Sequence, residues 1–284
     1  MEISMGKSIS SRIAKVVTGL VLLIGAVIIL FPMYITIITS LKTQQESAAD
    51  FFSLPSSFYL GNFISVFEKS GYWTYVWNSA KITIISVVLI LVFIPMCAYA
   101  IARKMEENKY FKTIYFYLLL GIFVPFQVIM VPLVQYLTKM KLLNQTGLIC
   151  MCLSLASSQG VFLLANYVKS VPRDLEEAAS IDGCTTFSAY WRVVLPLIKP
   201  MVATIFVMNA LWVWNDFQMP LLILNQQPGM WTLPLFQYNF KSQYTFDYNL
   251  AFASYLVAML PVIIAYICAQ KYIVAGLTQG AVKT

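Results

Sequence analysis

Lys81-ITIISVVLILVFIPMCAYAIA-Arg103 carries no charged side chain between its basic ends, from Ile82 to Ala102. At about 1.5 Å of rise per residue, roughly 20 apolar residues cross the ~30 Å hydrocarbon core of a bilayer. The stretch therefore reads as a membrane-spanning helix. Comparable windows predict six spans, at about 16–39, 78–102, 113–136, 145–168, 201–224 and 248–272. The expected fold class is all-α, a single polytopic membrane domain over residues 1–284. Composition agrees, because 60% apolar and 11% charged residues are too apolar a mixture for a water-soluble domain.

Lys and Arg set the orientation, since short loops rich in them stay in the cytoplasm. With the N-terminus inside, thirteen of the 19 basic residues fall on the inner side, among them Lys7, Arg12, Lys15, Arg103, Lys104 and Arg173. Both termini are expected to be cytoplasmic. The net charge of +7 follows from this asymmetry and implies no nucleic-acid partner. Lys139-Met140-Lys141 must turn tightly between the third and fourth spans. Outside, residues Lys42 to Trp77 form a structured loop whose aromatics, including Tyr72, Trp73, Tyr75 and Trp77, suit the lipid–water interface. The five cysteines are an odd number and four fall within spans, so no disulfide framework is implied; Cys150 and Cys152 point to different sides of a helix and make no metal site.

The segment 169–199 is too polar to face lipid and lies on the cytoplasmic side. It reads as two short helices. Pro172 suits a first helical turn, Asp174, Glu176 and Glu177 complement the positive end of the helix dipole, and Asp182-Gly183 supplies a stop. The first helix is expected at Pro172 to Ile181, with Leu175, Ala178, Ala179 and Asp182 on one face that another protein receives in a groove. The second, about Phe187 to Val194, leads to Leu195-Pro196 and back into the membrane.

The order Glu177-Ala178-Ala179, Asp182-Gly183, Leu195-Pro196 resembles the EAA loop of ABC-importer permeases. In that family the loop helix sits in a cleft of a cytoplasmic ATPase and couples ATP-driven closure to reorientation of the spans. The resemblance implies Glu177 as the polar anchor, Ala178 and Ala179 as the close-packing surface and Gly183 as the turn. Trp214-Asn215-Asp216-Phe217 with Pro220-Leu221, the run Gln270 to Lys283, and Ala98-Tyr99-Ala100 with Arg103 resemble the MalG-like permease of carbohydrate importers. It implies a prokaryotic plasma-membrane subunit that holds no cofactor, with ATP and Mg on a separate ATPase. The implied partners are a second homologous permease, a pair of ATPase subunits, an extracytoplasmic binding protein and a carbohydrate, oligosaccharide in class. Tail residues Thr278, Gln279 and Gly280 are implied to touch the ATPase, and Trp214, Asn215 and Asp216 to serve the pathway or the structure.

Two other functions compete. Asp216 falls inside the fifth expected span, where burying its charge costs about 3 kcal/mol. An ion-coupled secondary transporter would use it as the proton or cation carrier, although structural anchoring is the stronger reading. An intramembrane enzyme lacks its usual means, because the chain has no histidine and so no His-based metal site or Ser-His-Asp triad. The tail glycines Gly276 and Gly280 with Lys283-Thr284 do not make a phosphate loop. The glycine spacing is wrong, Ala281-Val282 intervene before the lysine, and no helix follows.

Overall fold

The computed structural model describes residues 2–69, 71–238 and 247–281, with side chains from 14 onward except 265, 268, 269 and 271–281. Helices account for all its regular structure among the described residues: α1 (Glu2–Ser40), α2 (Gln44–Ala49), α3 (Gly61–Glu68), α4 (Tyr72–Lys104), α5 (Lys109–Ile122), α6 (Phe126–Lys139), α7 (Gln145–Lys169), α8 (Asp174–Ile181), α9 (Thr186–Ala189), α10 (Leu195–Asn215), α11 (Gln218–Leu224), α12 (Leu233–Tyr238) and α13 (Tyr248–Ala281). The chain divides into two compact units, Met1–Ser70 with Asn239–Ala258, and Gly71–Tyr238 with Met259–Thr284.

Four helices among the described residues are long and apolar enough to cross a membrane: Ala14–Ser40, Tyr72–Lys104, Gln145–Lys169 and Thr186–Asn215. They correspond to the first, second, fourth and fifth expected spans. The third is not one straight helix, because α5 and α6 meet at 107°. Pro125 is the reason. It lacks an N–H and disfavours helical backbone at Val124, and its extended conformation (φ −62, ψ 137) starts α6 in a new direction. The sixth expected span falls on α13, whose described apolar stretch Tyr248–Ile264 is shorter than the others.

In the first unit, the end of α1 is closed by side-chain amides. Asn62 donates to the carbonyls of Ser40 and Lys42, both at 2.8 Å, and Asn249 donates to Thr39 and Lys42 at 2.8 and 2.9 Å. These bonds satisfy carbonyls that a helix end leaves without partners. Lys42 is wholly buried and donates from Nζ to the Asp50 carbonyl at 2.9 Å and to Ser53 Oγ at 3.1 Å. Between Val16 and Leu30, α1 leaves its large apolar side chains exposed all round, as a lipid-facing helix does.

In the second unit, α4 and α7 form the centre and α10 packs against both. Ile90, Ile94, Ala98 and Ala102 of α4 meet Ala156, Leu164 and Ala165 of α7 and Ile198 of α10. Lipid tails are as apolar as leucine, so helices in a bilayer associate through close packing that small residues permit. Gly160 supplies the closest approach, since a Cβ there would stand 2.9 Å from Ile94 Cγ2. The N-terminal end of α4 is tied to the α11–α12 region: Asn78 donates to the carbonyls of Gly229 and Trp231 at 3.0 Å, and Ser79 Oγ accepts from the Leu233 amide at 2.8 Å. Tyr72 is buried and Tyr75 stacks on Phe236 at 4.3 Å, so only Trp73 and Trp77, each 64% exposed, keep the interfacial role expected of all four. The Lys139–Lys141 turn forms as expected: Lys141 takes φ 57, and Leu142 N–H reaches back to the Leu137 carbonyl at 2.9 Å.

Candidate functional site

The polar segment between α7 and α10 folds into two parts. Its first part is α8, which begins at Asp174, two residues after Pro172. Asp174, Glu176 and Glu177 occupy the first turn, where negative charge meets the positive helix end. The helix closes on the expected stop. Gly183 takes φ +85, its N–H bonds to the Ser180 carbonyl at 3.0 Å, and Cys184 N–H bonds to the Ala179 carbonyl at 2.9 Å. This is a Schellman closure, and the left-handed backbone is what requires glycine.

The second part is not a separate helix that ends at Leu195-Pro196. Thr185 caps α9 by accepting from Ser188 N–H at 3.3 Å, and the chain then winds without a break through a π turn, Tyr190–Val194, into α10. Pro196 brings no N–H and its ring crowds the preceding turn. The wider π turn absorbs this, with Leu195 N–H bonding to the Tyr190 carbonyl. Leu195 is half-buried and Pro196 exposed within a continuous helix from Thr186 to Asn215.

The two neighbouring acids of α8 go different ways. Glu177 is exposed. Glu176 turns toward α4, where Oε2 accepts from the Tyr99 hydroxyl at 2.6 Å and Oε1 from Arg103 Nε at 2.8 Å, with Arg103 Nη2 at 2.5 Å. The Arg103 and Glu176 side chains are only 12% and 16% exposed. Arg103 also donates to the Val171 carbonyl at 3.0 Å. Arg173, just before α8, donates to Glu107 Oε1 and to the Arg103 carbonyl, both at 2.9 Å. The Arg173 hydrogen bond, and then the charge of Lys104, hold the Glu107 carboxyl below its ordinary range. An open cavity of about 270 Å³ lies beside this network, lined by Tyr99, Arg103, Glu176, Glu177, Ser180 and Cys184 among others.

Of the expected docking residues, Glu177, Ala178, Asp182 and Gly183 are exposed, whereas Ala179 is buried at 9% and faces the chain's own α9 and π turn. The exposed apolar surface instead comes from Leu175 and from Ile181, which is 87% exposed. Phe187 and Trp191 extend it, their rings 6.0 Å apart at 70°. Trp191 meets the buried Tyr190, whose ring lies 5.2 Å from Tyr99. Sequence reasoning passed over Ile181, Phe187 and Trp191, although large apolar residues in a polar loop were a visible signal.

Among the residues near the other end of the bundle, Asp216 lies outside α10, which stops at Asn215. Its Oδ1 accepts from Gln218 N–H at 3.1 Å and so caps α11, while Oδ2 is buried without a hydrogen-bond partner. Asn215 donates to the Leu211 carbonyl in its own helix at 2.8 Å. Thr278, Gln279 and Gly280 fall on the helical backbone of α13, with side chains outside the described residues. Cys97, Cys150, Cys152 and Cys184 are free thiols.

Several apolar helices long enough to span a bilayer, with α10 packed on α4 and α7 and a polar loop helix before it, define a polytopic membrane protein. The chain belongs to the family of binding-protein-dependent transport system inner membrane components, whose model matches residues 96–279. It is 46% identical over 263 residues to the multiple sugar-binding transport system permease protein MsmG of Streptococcus mutans, covering 92% of this chain and 95% of that one. It is 38% identical to AmyC of Thermoanaerobacterium thermosulfurigenes, a probable starch degradation products transport system permease, over 89% of this chain and 91% of that one. In fold it resembles a chain of a bacterial ABC transporter involved in import of the acidic polysaccharide alginate, with TM-score 0.78 and 24% identity over 93% of this chain and 97% of that one.

Proposed function

We infer that this chain is one permease half of an ATP-driven carbohydrate importer, with an oligosaccharide as cargo. The two relatives named above carry sugar and starch products in their descriptions, and an arabinooligosaccharide permease of Halalkalibacterium halodurans is 33% identical over 91% of this chain. The chain works with a second homologous permease, a pair of cytoplasmic ATPases and an extracytoplasmic binding protein. Six crossings with both termini inside put the α7–α10 link on the cytoplasmic side, in keeping with the excess of Lys and Arg there.

The observation that carries the reading is the exposed tip of α8. Glu177, Ala178 and Ile181 stand clear of the chain on a helix closed sharply at Gly183. A short helix with one acid and a bare apolar flank fits a groove on a partner. ATP binding draws the ATPases together, moves α8, and rocks the spans so that the pathway opens toward the binding protein. Cross-linking tests this directly: a cysteine introduced at Ile181→Cys is expected to link to the ATPase in the assembled transporter well above the background set by the native cysteines, and Glu177→Ala to abolish uptake while this chain still inserts. Uptake driven by an ion gradient without the ATPase would sink the reading. Asp216, the residue that an ion-coupled route would use, has a structural bond at Oδ1, which accepts from the Gln218 amide at the start of α11.

A further inference from the structure

We propose that Glu176, with Tyr99 and Arg103, forms the brace through which movement of α8 reaches the membrane helices, a role separate from the docking contact at Glu177. The inference rests on α8 being the docking helix. Adjacent acids at Glu176 and Glu177 point to different surroundings, one exposed and one held at both oxygens by α4. A carboxylate is suited to this because its two oxygens accept from two donors at once, and a guanidinium presents its N–H groups as a fork. Tyr99 and Arg103 are one turn apart on α4 and so share a face. Among the described residues the α8 side-chain hydrogen bonds to α4 come from Glu176, while the buried Ala179 brings only a methyl group. A methyl contact slides, whereas the braced carboxylate resists displacement in every direction.

α4 is also built to yield at the right place. Pro95 lies one turn before Tyr99, inside the helix, and leaves the Leu91 carbonyl without its helical N–H. The final turns of α4, which carry Tyr99 and Arg103, are therefore joined to the rest by a weakened turn. Arg173 grips the Arg103 carbonyl from the other direction, so that α8 and the end of α4 move as one piece. Glu176, Tyr99 and Arg103 are positioning residues in this scheme, and Pro95 is the pivot.

The test uses the complete transporter in vesicles, reading sugar taken up per ATP hydrolysed together with the cross-link yield from Ile181→Cys. Glu176→Gln is expected to keep ATP hydrolysis and cross-linking while uptake per ATP falls about three- to thirtyfold. Tyr99→Phe, which removes one hydroxyl and threatens folding little, is expected to shift the ratio in the same direction by less. Exchanging the pair, Arg103→Glu with Glu176→Arg, is expected to recover most of the loss that Arg103→Glu alone causes. A wild-type ratio in Glu176→Gln overturns the proposal, as does a loss of uptake that merely tracks a loss of cross-linking. Failure of Ile181→Cys to cross-link in the otherwise unaltered transporter overturns the docking reading first, which separates the two failures.

Discussion

The guanidinium of Arg173 donates to the main-chain carbonyl of Arg103 at 2.9 Å, while Arg103 donates to the carbonyl of Val171, two residues before Arg173. Arg173 thus holds the backbone of Arg103, and Arg103 holds the backbone just ahead of Arg173. Two like charges tolerate this closeness because each has its own acid, Glu107 for Arg173 and Glu176 for Arg103.

Acid should loosen the Arg173–Glu107 contact. The Glu107 carboxyl sits below its ordinary value of 4.5, held by Arg173 and Lys104. A depressed acid contributes stability that is present above the unfolded pKa and is lost as pH falls through the folded one. Protection of the amides of residues 104–109, taken against the intrinsic exchange rate at each pH, is expected to be high at neutral pH and to fall below about pH 4.5. Glu107→Gln is expected to exchange faster at neutral pH and to flatten that dependence.

Removing Glu176 and removing Glu177 should differ sharply in stability. Glu176→Ala leaves Arg103 largely buried without its carboxylate, a loss on the order of 3 kcal/mol. Glu177→Ala alters an exposed side chain and is expected to change stability by less than about 0.5 kcal/mol. Thermal unfolding in detergent reads both, and equal shifts would contradict the division of labour between the two acids.

Gly183 and Lys141 make opposite predictions from the same closure. A Cβ at Gly183 meets nothing within 4 Å, so the cost of Gly183→Ala is conformational alone, about 1 kcal/mol at φ +85. Lys141 already bears that strain at φ 57, and Lys141→Gly is expected to relieve several tenths of a kcal/mol or more. Paired melting curves check the signs.

Gly160→Val should force α4 and α7 apart, because the added carbon would lie 2.9 Å from Ile94 Cγ2. Overpacking of this kind costs about 1–3 kcal/mol. Ile94→Ala in the same chain is expected to return part of it, and a double-mutant cycle on unfolding measures the coupling.

The spans, the polar loop and its glycine stop were legible because each depends on local composition or on one residue's backbone preference. The break at Val124-Pro125 was not, since hydropathy runs on through it and only the proline marks the change of direction. Leu195-Pro196 misled in the opposite sense: a proline usually interrupts a helix, but the π turn before it carries the helix through. Asp216 was placed inside a span because apolar residues flank it on both sides, although the helix ends one residue earlier. The inward turn of Glu176 was beyond reach, as its partner Tyr99 lies 77 positions away and the adjacent Glu177 has the same chemistry.

The π turn at Tyr190–Val194 also fixes an angular setting. It carries one residue more than an α-helical turn would need. Rewinding the same residues as plain α-helix would swing everything before the turn by about 100° around the axis of α10. Phe187 and Trp191 would then face a different side, so the surplus residue acts as the indexing tooth that sets which way the loop aromatics look.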